Sequence, residues 1–155
     1  MEIYPPRRVD KVYQTHLSRL KKCKEIAQNS PCLSRKVGAI LVYKDCIVSE
    51  GFNRTPCNTD ACKNCIRKSK KSGEALDICK AIHAEEVCIL NFLKTHSFDE
   101  LQDCTLYITT SPCYNCAKLI VECKIKAVIA SEDYSSNYSN AILTEAKIPL
   151  VIFNE

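Results

Sequence analysis

From residue 8 to 29, apolar side chains recur at helical spacing. Val9, Val12, Tyr13, Leu17, Leu20, Ile26 and Ala27 alternate with charged groups until Ser30-Pro31-Cys32 closes the segment. The period then changes. VGAILVY (37–43) reads as a buried strand, Lys44-Asp45 as a tight turn, and CIVSEGF (46–52) as the hairpin partner. Residues 53–78 carry no sustained periodicity, and an unstructured connection of that length is uncommon in a compact domain, so something must pin it. Beyond it the pattern alternates regularly. A helix at 83–95 precedes the strand TLYITT (105–110), the helix YNCAKLIVECK (114–124), the strand AVIAS (127–131), a short helix at 138–147 and the strand PLVIF (149–153). Such alternation predicts an α/β fold, a largely parallel sheet covered by helices, with the hairpin making it mixed.

Composition narrows this picture. The 155 residues suit one domain with a real core, and 46% hydrophobic with 26% charged residues is ordinary for a globular chain. No stretch approaches the roughly 18 uninterrupted apolar residues of a membrane span. The segment MEIYPPRRVDK has neither the apolar core nor the small-residue cleavage pattern of a secretory signal. A soluble cytoplasmic protein without a membrane partner is expected. The formal charge of +4 is too modest to argue for nucleic acid on its own. Basic residues do gather at Lys63, Arg67, Lys68, Lys70 and Lys71. They read plainly as a solvated loop, or more sharply as a rim that attracts phosphate.

Twelve cysteines change the picture more. In a reducing compartment, close Cys pairs read as metal or redox sites rather than disulfides. Cys46, Cys88, Cys104 and Cys123 sit inside apolar patterns and are expected to act as small core hydrophobes. The stretch CKAIHAEEVCIL (79–90) opens a helix that should be buried, yet it carries a histidine, two glutamates and two cysteines. Burying such groups unpaired costs several kcal/mol, roughly. His83 and Glu85 stand two apart near that helix start. SPCYNC (111–116) then places Pro112 where a helix tolerates it, with Cys113 and Cys116 one turn apart. A helix N-terminus favours thiolates. Two thiolates and one imidazole make three ligands for a tetrahedral zinc with an open fourth position, the mark of a catalytic site. Zinc there acidifies a bound water, and Glu85 could move its proton without being a ligand. A redox Cys-x-x-Cys would leave His83 and Glu85 unexplained. Glu86 reads as a helix-surface carboxylate or a lysine partner. In the unpatterned stretch, Cys62-Lys63-Asn64-Cys65 has zinc-knuckle spacing, and a second, fully protein-ligated zinc would pin the loop.

H-x-E together with P-C-x-x-C is the signature of zinc-dependent deaminases. The chain resembles the cytidine and deoxycytidylate deaminase superfamily, most nearly its bacterial, archaeal and viral dCMP deaminases. The likeness runs through SRKVGAILV (34–42), GFN (51–53), ICKAIHAEE (78–86), LYITTSPCYNCAKLI (106–120) and SEDY (131–134). It implies a single domain over 1–155 with a Cys-rich insertion at about 54–79. The implied fold is three-layer α/β/α, cytidine deaminase-like, around a central mixed, mostly parallel five-stranded sheet. By the resemblance, His83, Cys113 and Cys116 bind the catalytic zinc and Glu85 shuttles protons. Asn53 would hydrogen-bond the sugar or base, and backbone at Ala84 and around Ser111 would contact the pyrimidine edge. Tyr134 would lie over the pocket in a region that helps hold a 5′-phosphate, with Arg35 and Lys36 as further basic candidates.

Where relatives read Gly-Tyr-Asn-Gly, this chain has Gly51-Phe52-Asn53-Arg54. That departure puts nucleoside triphosphate regulation in question and makes Arg54 a candidate phosphate contact. A structural zinc would draw four ligands from Cys32, Cys57, Cys62, Cys65 and Cys79, with Cys65 and Cys79 foremost, Cys62 next, and Cys57 and Cys32 competing. The implied activity is that of a hydrolase acting on C–N bonds of cyclic amidines: dCMP to dUMP, feeding thymidylate synthesis, in a homo-oligomer that is commonly a hexamer. The same chemistry on cytidine, cytosine, dCTP or tRNA adenosine is the alternative. A non-catalytic zinc module binding nucleic acid or a protein partner is a further one, and it leaves Glu85 without a purpose.

Overall fold

A computed structural model of the chain describes residues 2–3, 10–71, 74–134 and 136–153. Its strands are β1 (Glu2–Ile3), β2 (Gly38–Tyr43), β3 (Cys46–Phe52), β4 (Thr105–Thr110), β5 (Ala127–Glu132) and β6 (Leu150–Ile152). They form one sheet in the order β1-β6-β5-β4-β2-β3. The neighbours from β1 to β4 pair in parallel, while β4–β2 and β2–β3 are antiparallel. Five of these strands are the predicted ones. The sixth, β1, is only two residues long, too short to leave a pattern in the sequence.

The helices are α1 (Lys11–Ala27), α2 (Ala84–Phe92), α3 (Tyr114–Glu122) and α4 (Asn137–Glu145). Asp10 caps α1 by accepting a hydrogen bond from the Val12 N–H at 2.9 Å. The predicted beginning of this helix at residues 8 and 9 lies outside the described residues. Helix α2 ends at Phe92 rather than 95, and residues Phe98–Asp103 form a 3-10 turn that hydrophobic spacing does not signal.

Period-2 alternation in the strands sorts side chains into two cores. Ile40, Val42, Tyr107 and Ile129 face α1, where they meet Tyr13, Leu20, Cys23 and Ile26. Ala39, Leu41, Leu106, Ile108, Val128 and Ala130 belong to the opposite core, with Ala84, Cys88 and Phe92 of α2, Ile120 of α3 and Leu143 of α4. The result is the expected three-layer α/β/α arrangement. Cys88, Cys104 and Cys123 are buried as expected, but Cys46 is exposed. It opens β3 directly after the Lys44-Asp45 turn, on the outermost strand, where nothing covers it. Both turn residues have positive φ, 48° and 66°, the mirror-image turn geometry that matches strand twist in a two-residue hairpin.

Two glycines set the distance between layers. A Cβ on Gly38 would overlap the Cys23 carbonyl oxygen and the α1 backbone. One on Gly51 would lie 2.5 Å from the Cys88 N and 2.8 Å from the Ala84 O, so the start of α2 rests directly on β3. The long connection before α2 is tied at its base by an antiparallel bridge between Arg54 and Ile82, with N···O distances of 3.1 and 2.7 Å. Within it, Lys80 Nζ donates to the Asp60 carbonyl at 2.8 Å, and Leu76–Ile78 form a 3-10 turn. Among the described residues, no helix is long and apolar enough to cross a membrane.

Strand directions decide where a site can form. Because β2 is antiparallel to β4, its first residues lie beside the last residues of β4, and β3 ends on the same side. The chain leaves β4 toward β5 and β6, whereas β2 and β3 occupy its other flank. The crevice at the carboxyl end of β4 is therefore a switch point of the topology, the usual ligand position in open α/β sheets.

Candidate active site

That crevice receives the N-termini of two helices. His83 is the N-cap of α2, and its backbone N–H donates to the Glu86 carboxylate at 3.0 Å. Glu86 thus has a role that the sequence pattern did not reveal: it fixes the backbone that carries His83. Cys113 is the N-cap of α3, and Cys116 lies one turn further on. The Nδ1 of His83 is 3.5 Å from the Cys113 sulfur and 3.3 Å from the Cys116 sulfur, and the three donor atoms lie within 4.8 Å of one another. Bond lengths of about 2.3 Å to sulfur and 2.0 Å to nitrogen in a tetrahedron give an N···S edge of about 3.5 Å. The borderline-soft donor set and its spacing fit zinc.

The electrostatics agree with a cation-binding cluster. Cys113 is lowered to about 4, first by the hydrogen bond from the Cys116 thiol and then by His83. His83 is raised to about 9, chiefly by its bond to Cys113. Cys116 is pushed up because it holds the proton shared with Cys113, in a buried position beside Glu85. Glu85 is 4% exposed, and burial raises its carboxyl above the ordinary carboxylate range, although contact with Cys116 and the charge of His83 oppose this. A carboxyl whose burial favours its protonated form therefore sits beside the donor cluster.

Glu85, His83 and Cys113 line a cavity of about 350 Å³, within the range of small-molecule sites. Ala84 and Ser111, expected at the pyrimidine edge, are on its wall, as are Tyr134 and Arg35. Ser111 Oγ accepts the Tyr134 N–H at 2.7 Å and donates to Asp133 at 3.3 Å, which holds the segment after β5 over the cavity. The Arg35 guanidinium stacks 3.5 Å from the Tyr134 ring centre and lies 3.5 Å from the Glu132 carboxylate.

Asn53 also reaches the wall, but most of its amide is committed to the fold. Its Oδ1 accepts from Ser30 Oγ at 2.7 Å and from the Val37 N–H at 2.9 Å, and its Nδ2 donates to the Arg35 carbonyl at 2.8 Å. One N–H remains for a ligand. Arg54 and Lys36 are not on the cavity wall. The Ile82 bridge fixes the Arg54 backbone, and its guanidinium turns to the Thr55 carbonyl at 3.2 Å and the Cys57 sulfur at 3.7 Å.

Cys32 and Cys79 border the cavity, and Cys57 and Cys62 are exposed. Among the described residues, the one group of three or more close metal-ligating side chains is His83, Cys113 and Cys116. Cys32, Cys57, Cys62, Cys65 and Cys79 are not members of that group. One feature of the wall escaped the sequence: Thr110 Oγ1 is buried without a hydrogen-bond partner among the described residues, and no spacing rule could flag it. Arg67, Lys70 and Lys71 of the basic cluster are on the cavity wall, which favours the rim over the solvated loop.

Residues 13–132 match the family model described as the cytidine and deoxycytidylate deaminase zinc-binding region. The chain belongs to this family. It is 31% identical over 125 residues to a deoxycytidylate deaminase of Schizosaccharomyces pombe, an alignment covering 77% of the chain but only 38% of the yeast protein. The chain thus spans well under half the length of that relative. A deoxycytidylate deaminase of Mycobacterium phage D29 is 32% identical over 110 residues, covering 66% of the chain and 83% of the phage protein. Among solved structures, the dCMP deaminase of cyanophage S-TIM5 in complex with dCMP and dUMP superposes with a TM-score of 0.72 at 25% identity. That superposition takes in 88% of this chain and 95% of the phage chain.

Proposed function

We propose that the chain is a zinc-dependent hydrolase that deaminates dCMP to dUMP, working as one deaminase domain over 1–155 with the Cys-rich segment at about 54–79 as an insertion. The observation that carries this reading is the placement of Glu85 beside the His83–Cys113–Cys116 cluster on the wall of a nucleotide-sized cavity. The deoxycytidylate deaminase names of the yeast and phage relatives support the choice of substrate.

His83, Cys113 and Cys116 would hold the metal. Bound zinc supplies Lewis acidity that brings the pKa of a coordinated water toward neutrality. Glu85 takes a proton from the attacking water and delivers it to N3 of the cytosine as oxygen adds to C4. It then passes the second water proton to the 4-amino group, which leaves as ammonia while C4 becomes a carbonyl. Ala84 and Ser111 border the ring, and the unpartnered Thr110 hydroxyl offers a further hydrogen bond on the same wall.

A second zinc on four of Cys32, Cys57, Cys62, Cys65 and Cys79 would order the insertion, and elemental analysis giving two zincs per chain is its signature. A cytoplasmic homo-oligomer, with a hexamer as its expected form, completes the proposal. The exposed Ile47 on the outermost strand and the exposed Leu90 and Leu93 at the end of α2 support self-association.

The decisive experiment measures ammonia release from deoxycytidine, cytidine, dCMP, dCTP and adenosine-containing tRNA by zinc-replete protein. Preference for dCMP, with a loss of about 10²–10⁴ in kcat for Glu85→Ala at unchanged zinc content, is the expected result. Turnover that survives Glu85→Ala, or preference for another substrate, overturns the proposal.

A further inference from the structure

The cavity wall carries four cations and one carboxylate: Arg35, Arg67, Lys70 and Lys71 against Glu85. Arg35 is already engaged by the Tyr134 ring and Glu132. The other three belong to the Cys-rich insertion. Among the described residues, none of them takes part in an ion pair. The Nε of Arg67 donates to the Glu74 carbonyl at 2.7 Å, which braces the side chain and leaves its two terminal nitrogens. The Lys70 N–H donates to the Arg67 carbonyl at 2.9 Å, and this turn brings residues 67 and 70 to the same side of the backbone. Lys71 is tied by its own N–H to the Glu74 carboxylate at 3.3 Å. Lys63 and Lys68, from the same basic run, are not on the wall. The run is therefore divided: three cations border the cavity and two face elsewhere.

A cytosine base held against Glu85 at one end of this cavity leaves the 5′ substituent of the sugar to meet whatever lines the rest. We propose that Arg67, Lys70 and Lys71 form an anion clamp that recognises the substrate's phosphate, so that the insertion, rather than Arg54, determines nucleotide over nucleoside. This rests on reading the site as that of a cytosine deaminase. Arg supplies a planar fork and Lys a mobile point charge, the combination that suits a phosphate monoester. Arg35 would act differently, as the residue that holds Tyr134 in place.

The test compares binding of dUMP and deoxyuridine by calorimetry in the zinc-loaded protein, so that turnover does not enter. Each charge-assisted contact is worth about 10- to 100-fold in affinity. The triple variant Arg67→Ala/Lys70→Ala/Lys71→Ala should weaken dUMP by at least about 100-fold and carry the dUMP-to-deoxyuridine affinity ratio toward one. Lys70→Arg/Lys71→Arg should retain most of the ratio, and Lys68→Ala should leave it unchanged. An unchanged ratio in the triple variant overturns the clamp. So does a parallel loss for both ligands, which marks a structural role. Deoxyribose 5-phosphate, which lacks a base, separates the two proposals. If it binds and the triple variant loses it, the clamp stands even where no cytosine substrate is turned over. If it binds equally to wild type and triple variant, the clamp fails whatever the enzyme deaminates.

Discussion

Replacing Gly51 by alanine should damage the active site more than its modest chemistry suggests. The new Cβ would stand 2.5 Å from the Cys88 N and 2.8 Å from the Ala84 O, both backbone atoms of α2. Ordinary contact begins near 3.4 Å, so α2 and β3 must separate by roughly 0.9 Å locally. Gly51 has no positive φ, so the effect is steric alone. Overpacking of this kind costs about 1–3 kcal/mol. Ala84 is flanked by His83 and Glu85, so the displacement falls on a proposed zinc ligand and on the proposed proton shuttle. The nearest atoms to that Cβ all belong to α2, so Cys113 and Cys116, which are carried by α3, stay behind. A misplacement of about 1 Å in a catalytic group can cost about 100-fold in rate.

Gly38→Ala provides the comparison. It presses still more closely on Cys23 and Ala27 of α1, on the opposite face of the sheet, and should destabilise at least as much while leaving the donor cluster intact. Denaturant unfolding, zinc retention against a chelator, and kcat for dCMP, measured on both variants, make the test. The expected outcome is a stability loss in Gly38→Ala at least as large as in Gly51→Ala, with weakened zinc retention and about 100-fold lower kcat only in Gly51→Ala. Equal zinc retention and equal kcat in the two variants would refute the claim that Gly51 positions the site.

Two further outcomes follow from buried hydrogen bonds and from titration. Asn53→Ala strips partners from the Val37 N–H and the Arg35 carbonyl, and should lower unfolding free energy by about 1–3 kcal/mol at unchanged denaturant slope; a change below about 0.5 kcal/mol removes Asn53 as a structural post. His16 lies 2.7 Å from the Tyr107 hydroxyl, and its pKa is lowered by burial first and by Arg19 second. The unfolded chain therefore takes up this proton more readily, so stability should fall as pH drops below about 6.5 toward the lower folded value, and the fall should be smaller in His16→Gln.

The parts of this molecule legible in the sequence are those written in short range. His83 and Glu85 fall within three residues, Cys113 and Cys116 within four, and each pair sits at a helix start that hydrophobic spacing and Pro112 announce. Strands β2, β4, β5 and β6 are equally plain because both sheet faces are covered there, while β3 is announced by its hairpin turn with β2. What the sequence hid depends on where a loop turns. Arg54 looks like a phosphate contact until the Ile82 bridge fixes its backbone and sends the side chain to Thr55 and Cys57. Arg67, Lys70 and Lys71 read either as a solvated loop or as a phosphate-attracting rim, because no period records that the insertion folds back over the cavity. Cys46 reads as core by its neighbours, but the hairpin turn leaves it on an outermost strand.

The cost of gathering so much negative charge explains why the site is built where it is. Cys113, Cys116 and Glu85 share one corner, and their ionised forms would repel each other the more strongly in a low-dielectric interior. Helix N-termini offset this repulsion, since each contributes about half a positive charge and unpaired N–H groups. Both α2 and α3 begin at the cluster. Helix α2 adds a reciprocal device: the Glu86 carboxylate accepts the His83 N–H, and its charge also favours the protonated imidazole. The adjacent glutamates of HAEE are thus distinguished by one residue of helical rotation. Glu85 points into the cavity, where burial raises its pKa, while Glu86 turns back to close the helix. The motif that looked like an excess of polar residues in a core helix divides into one group for chemistry and one that keeps the histidine in place.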